Sequence, residues 1–200
     1  MKRRLFLGTA VTGPLFARLL EQGERDRAVS YLHVTRKMFL DSVADVSPAQ
    51  WEWKPAPDVW SIAQVAEHIA LSENALFGKV RKTVSEPPAG PAQLAETRGK
   101  DDAIRKAAVD RGRKFQAPEN LRPTSRWKSK AELVSHFKDS RDRTIEYVRT
   151  TTDDLRSHAA PHRAFGELDA YQWILYISGH SERHILQLNE VKTKPGYPRA

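Results

Sequence analysis

The chain has 200 residues, of which 40% are hydrophobic and 29% charged, the size and balance of one ordinary globular domain. It contains no cysteine, which excludes disulfides, thiolate metal ligands and a cysteine nucleophile. The net charge of +8 permits an acidic partner, yet nearly all the excess lies between positions 98 and 130, where eleven Lys and Arg face four acids.

That basic stretch reads as a solvated linker, with attraction of an acidic small molecule as the alternative. No helix-turn-helix, zinc-finger or RNA-motif signature accompanies it, so a nucleic-acid partner is not expected. At the N-terminus, Arg3 and Arg4 precede Leu5, Phe6 and Leu7 and a short apolar run. Residues 1–20 therefore read either as a twin-arginine export signal, with Leu15-Phe16-Ala17 a poor cleavage site, or as a basic disordered extension of a cytoplasmic protein. The apolar run falls short of the ~20 residues that a spanning helix needs, so no transmembrane anchor is expected. Residues 21–194 form the expected folded unit, and 195–200 a tail.

Four segments carry apolar residues at helical spacing. In the first, Ala28, Leu32, Thr35, Phe39, Val43 and Val46 recur at steps of four and three, and Pro48 follows. The aromatic residues Trp51, Trp53 and Trp60 are expected to pack the lead-in to the second helix, with substrate stacking by one of them as the alternative. Ser61 and Gln64 form a capping box for the second helix, whose stripe is Ile62, Val65, Ile69, Leu76 and Val80, ending at Pro87-Pro88. A connection over 86–128 follows, with a short helix expected around 102–111. The third helix opens with Ser129 and Glu132 and runs through Leu133, Phe137, Ser140, Thr144 and Val148. The fourth begins at Asp169 with Gln172 three residues on, and its seam reads Trp173, Ile177, His180, His184, Leu188 and Val191. Strand-like alternation is nowhere sustained. The expected architecture is all-α, an antiparallel four-helix bundle with long second and third connections.

The seam of the last helix holds the chemistry. At ~100° per residue, His184 lies ~40° around the axis from His180 and one turn along it, so both imidazoles share a face. Glu182 is ~200° from His180 and points away, which separates "HSERH" from the HExxH zinc-protease motif. The Glu-x-x-His pairs of di-iron bundles are absent as well. His68 sits on the shoulder of the second helix's stripe, ~60° from Val65, where it reaches toward the bundle axis. Three neutral imidazoles around Zn²⁺ or Ni²⁺ leave positions open, as in a catalytic site; three hydrogen-bonded core histidines are the alternative. Glu73 and His136, near their seams, are candidates for a fourth ligand or a supporting partner, or are partly exposed polar residues. Tyr176 and Gln187 lie ~40° and ~20° from His180 and are candidate hydrogen-bond donors to a bound group, or else ordinary seam packing.

The stretches "KPAPDVWSIAQVAEHIALSE" (54–73) and "LDAYQWILYISGHSERHILQLNEVK" (168–192) resemble the Trp-Ser-helix-His element and terminal His-x-x-x-His helix of the DinB-like (YfiT-like) family of bacterial metal-binding four-helix bundles. The resemblance covers roughly residues 24–194. It implies one divalent ion, nickel or zinc, on His68, His180 and His184. "APHRAFGELDA" (160–170) is similar to the loop before the family's last helix, which makes His162 a loop residue rather than a ligand. Characterised relatives use a low-molecular-weight thiol, so the resemblance implies first a thiol-dependent transferase acting on small electrophiles, the thiol compensating for the missing cysteine. A metal-dependent hydrolase acting through water and a non-catalytic, stress-associated metal-binding protein are the alternatives. A homodimer is implied too. Export would weaken the thiol reading, because such thiols are mainly cytosolic.

Overall fold

The computed structural model describes residues 18–112 and 115–199. The twin-arginine motif and the rest of residues 1–17 lie outside the described residues. In chain order the elements are α1 (Gln22–Ala44), α2 (Pro48–Glu52), α3 (Ile62–Ser85), α4 (Pro91–Thr97), α5 (Asp101–Val109), a 3-10 turn (Glu119–Leu121), α6 (Lys130–Thr150), β1 (Ala159–His162), β2 (Gly166–Asp169) and α7 (Ala170–Lys192). The four predicted helices are α1, α3, α6 and α7. Their caps follow the sequence: Ser61 with Gln64 and Asp169 with Gln172 make full reciprocal boxes. At α6 the box is only half formed. Ser129 Oγ accepts from the Glu132 N–H at 3.1 Å, but the Glu132 carboxylate reaches one residue further back, to the Lys128 N–H at 3.0 Å.

Helices α1 and α3 each pack against both α6 and α7, so α1 lies diagonally from α3 and α6 from α7, whereas the consecutive helices α3 and α6 are neighbours. Contacts along their lengths give the directions. Lys130 at the start of α6 donates to the Val43 and Ala44 carbonyls at the end of α1, while Arg25 donates to the Val148 carbonyl at the other end; α1 and α6 are antiparallel. Tyr171 meets Glu24, and Lys192 meets Ser42, so α1 and α7 run parallel. By the same reasoning α3 and α6 are parallel, with Glu73 on Arg141 and Arg81 over Tyr147. Parallel neighbours need a connection as long as a helix, ~1.5 Å per residue over some 30 Å, and the long second connection supplies it. Within it, α5 is the helix expected near 102–111, whereas α4 is not announced by any stripe.

The third connection holds a β-hairpin, with Ala159 paired to Asp169 and Gly166 in the left-handed region at φ 68°. Four residues per strand are too few to display alternation. The tail is tied down: Tyr197 meets Trp53 edge-on at 5.6 Å, and Gln50 donates to the Pro198 carbonyl at 2.9 Å. No helix among the described residues is long and apolar enough to cross a membrane.

Apolar side chains form two clusters at different levels of the bundle. One gathers Leu32, Val80, Ile145, Ile174 and Ile177; the other gathers Phe39, Ile69, Phe137, Ile185 and Leu188. Between them a polar layer draws on all four long helices, through the buried side chains of Thr35, Glu73, Arg141 and Ser181. This polar layer is closed on itself. Arg141 grips the Glu73 carboxylate with Nε and Nη2, donates to Thr35 Oγ1 and the Leu32 carbonyl, and meets Ser181 Oγ, which itself donates to Glu73 at 2.7 Å.

Candidate metal centre

Beside that layer, on the face shared by α3 and α7, three imidazoles meet. His68 comes from the second turn of α3, and His180 and His184 from successive turns of α7. One ring nitrogen from each lies within 4.8 Å of the others. Ring centroids are 4.4 Å apart for His68 and His184, 4.5 Å for His180 and His184, and 5.2 Å for His68 and His180. The i, i+4 arithmetic accounts for the pairing on α7. Glu182 points to the opposite side, where its carboxylate accepts the Tyr31 hydroxyl at 2.6 Å.

Two of the three rings have their tautomer fixed by a second contact. The Leu121 carbonyl, at 2.8 Å, can only accept, so His68 Nδ1 carries the proton and Nε2 keeps its lone pair. His184 Nδ1 lies 2.8 Å from Gln187 Oε1. Arg111 donates to that same oxygen at 3.4 Å, which fixes the amide's orientation, so His184 also presents Nε2. His180 Nδ1 is sealed from solvent, and no group among the described residues hydrogen-bonds to it.

Electrostatics hold all three rings neutral. Burial first, then the neighbouring imidazoles and Arg183, push His180 well below the ordinary histidine value. Burial and then His68 bring His184 down to about 3, while burial lowers His68 against the opposing effect of the Leu121 contact. No carboxylate belongs to the cluster among the described residues. Three desolvated lone-pair donors, one with a buried nitrogen left over, form an unfavourable arrangement alone and a suitable one around a divalent cation. The donor set is therefore capable of binding a divalent metal.

The remaining candidates divide. Glu73 is not brought to the imidazoles: both its oxygens are taken by Arg141 and Ser181, which makes it part of the polar layer instead of a fourth ligand or catalytic group. His136 is also elsewhere, accepting from Asn74 at 2.7 Å and lying 4.8 Å from Trp127. Gln187 is at the site, where its Oε1 accepts from His184 Nδ1. Tyr176 is also there, its ring 5.7 Å from His180 and 4.5 Å from His162. Burial raises the Tyr176 pKa, so its hydroxyl stays protonated. His162 ends β1, where its Nδ1 accepts the Ala164 N–H at 3.1 Å, and burial lowers it to about 4. Trp60 packs 5.3 Å from His68, whereas Trp51 joins the apolar core.

Sequence reasoning missed the Leu121 carbonyl, since no side-chain pattern announces a backbone acceptor. It also left Gly179 unexplained. A Cβ there would stand 2.6 Å from the Ala108 Cβ, so glycine lets α5 settle directly on α7 beside His180. Two surface clefts, of about 380 and 440 Å³, lie away from the imidazoles and are lined by other residues.

Among proteins similar to this chain is the uncharacterized protein YuaE of Bacillus subtilis (strain 168), 26% identical over 141 residues that span 70% of this chain and 82% of YuaE. Among solved structures, YfiT from Bacillus subtilis, described as a probable metal-dependent hydrolase with an unusual four-helix bundle topology, superposes with a TM-score of 0.60 at 14% identity. That match covers 90% of this chain and 91% of YfiT, which establishes the shared fold. The family model of the DinB superfamily matches residues 31–188, the span that carries all three imidazoles, and the chain belongs to that family.

Proposed function

We propose that this chain is a metal-dependent hydrolase whose ion is held by His68, His180 and His184. The observation that carries the reading is the trio itself: neutral donors without a carboxylate, with His180 Nδ1 buried and unsatisfied. When bound, the ion supplies a Lewis acid able to polarise a scissile group and to make water nucleophilic near neutral pH. Three uncharged ligands leave its double charge uncompensated, which favours that chemistry. Leu121 and Gln187 orient two of the ligands. The protonated Tyr176 hydroxyl is available to donate to a substrate oxygen. Because Glu73 is held by Arg141, no carboxylate joins the three imidazoles as a fourth ligand among the described residues, which supports catalysis over storage. The description of YfiT agrees with this choice of reaction.

Thiol-dependent transfer to a small electrophile is the second reading, favoured by the positive field that Arg183 and Arg111, the latter paired with Glu190, place at His184. One experiment separates the two. Untagged protein is analysed for nickel and zinc, then assayed on carboxylic and phosphoric ester panels with and without added thiol, beside a His180→Ala/His184→Ala variant. Hydrolysis without thiol that disappears with the metal is the expected result. Complete dependence on thiol transfers the assignment to the second reading, and folded wild-type protein that takes up no metal overturns both.

A further inference from the structure

The connection that reaches His68 is itself held by the neighbouring residue on the same helix. Glu67 is 4% exposed, and no cation pairs with it among the described residues. Its carboxylate instead accepts three consecutive backbone N–H groups: Thr124 to Oε1 at 3.0 Å, Ser125 to Oε2 at 2.9 Å and Arg126 to Oε1 at 3.1 Å. Such a run of amides around a left-handed residue is an anion-binding nest, and Ser125 has a φ of 58°, a conformation that residues with a Cβ seldom adopt. Here the anion is the protein's own side chain. Only Arg122 and Pro123 separate this nest from Leu121, and the proline ring fixes its own φ. Leu121 ends the 3-10 turn, so its carbonyl is available to His68 Nδ1 at 2.8 Å.

We propose that Glu67 is a positioning residue for the metal centre: by clamping residues 124–126 it places the Leu121 carbonyl on His68 Nδ1 and leaves His68 Nε2 for the ion. The clamp and the ligand are consecutive residues of α3, ~100° apart, so one helix aims the imidazole into the bundle and holds the loop that orients it. The part concerning the ion rests on the metal-dependent reading above; the part concerning the His68 proton does not. Contacts of this kind around a ligating histidine alter metal affinity ~10–100-fold.

The test uses the full chain labelled with ¹⁵N-histidine. Long-range ¹⁵N–¹H NMR of the metal-free protein reads the His68 tautomer in wild type, Glu67→Gln and Glu67→Ala, and Co²⁺ titration gives each dissociation constant. The proton is expected on Nδ1 in wild type. Glu67→Ala is expected to give mixed tautomers and a ~10–100-fold weaker Co²⁺ complex. Glu67→Gln, which keeps an oxygen for Thr124 and Arg126, should fall between. If circular dichroism shows Glu67→Ala unfolded, the Gln variant decides. Equal tautomer populations in wild type and the folded variants overturn the proposal. Wild-type protein that takes up no Co²⁺ overturns the metal reading, and the tautomer measurement then still decides what Glu67 does to His68.

Discussion

Two polar regions lie side by side in the bundle and are built in opposite ways. In the layer of Thr35, Glu73, Arg141 and Ser181, charge meets charge and the groups hydrogen-bond to one another. In the cluster of His68, His180 and His184, the described residues supply no carboxylate to the rings and no partner to one buried nitrogen. The same two helices, α3 and α7, contribute to both, and Ser181 follows His180 directly. Burial alone therefore does not separate a structural polar group from a functional one. What separates them is whether the protein satisfies its own donors and acceptors or leaves them for something that arrives from outside.

The largest effect should come from breaking the closed region. Glu73→Ala strands the Arg141 guanidinium in the core and is expected to cost about 3–5 kcal/mol, read by urea unfolding of chelator-treated protein. The open region should respond to its missing partner. Divalent metal at a hundredfold excess over its dissociation constant should stabilise wild type by about 2.7 kcal/mol and His180→Leu not at all, read by the same unfolding curves with and without metal.

Acid comes next. His184 sits at about 3 in the folded protein, below the ~6.5 of an unfolded chain, so the unfolded state binds protons first. Its stabilising effect is complete above the unfolded value and is lost as pH falls toward the folded one, about 2 kcal/mol between neutrality and pH 5 for this ring alone. Metal-free protein should show that loss in pH-dependent unfolding, and metal should reduce it. The smallest effect is the most diagnostic for the comparison: in metal-free protein, His180→Leu should change stability by less than about 1 kcal/mol, because a nitrogen without a partner leaves no contact to lose. A cost as large as that of Glu73→Ala would mean that the cluster is structural after all.

The sequence carried the four long helices because their stripes are long and periodic, and it carried the trio because a four-residue repeat fixes two rings on one face of α7. It did not carry the order of helices around the bundle. The parallel pairs α1 with α7 and α3 with α6 depend on how the second connection crosses, which no helical stripe encodes. The hairpin strands were too short to register a period, and α4 too short to show a stripe. Glu73 illustrates a different limit: its place on the seam was legible, but its partner, Arg141, is one charge among many on α6 until the helices are packed. Gln187 was legible on the right face, but the contact of its Oε1 with His184 Nδ1 was not, since an amide can both donate and accept.

The separation of the ligands along the chain governs when the centre can exist. His68 lies on α3, and its two companions lie on α7, more than a hundred residues later in the chain. During synthesis, α3 and the clamped loop are made before α7, so His68 is oriented while both of its partners in the cluster are still lacking. An ion shared by the three imidazoles would therefore have to wait until α7 is made, and a product truncated before α7 lacks two of the three rings.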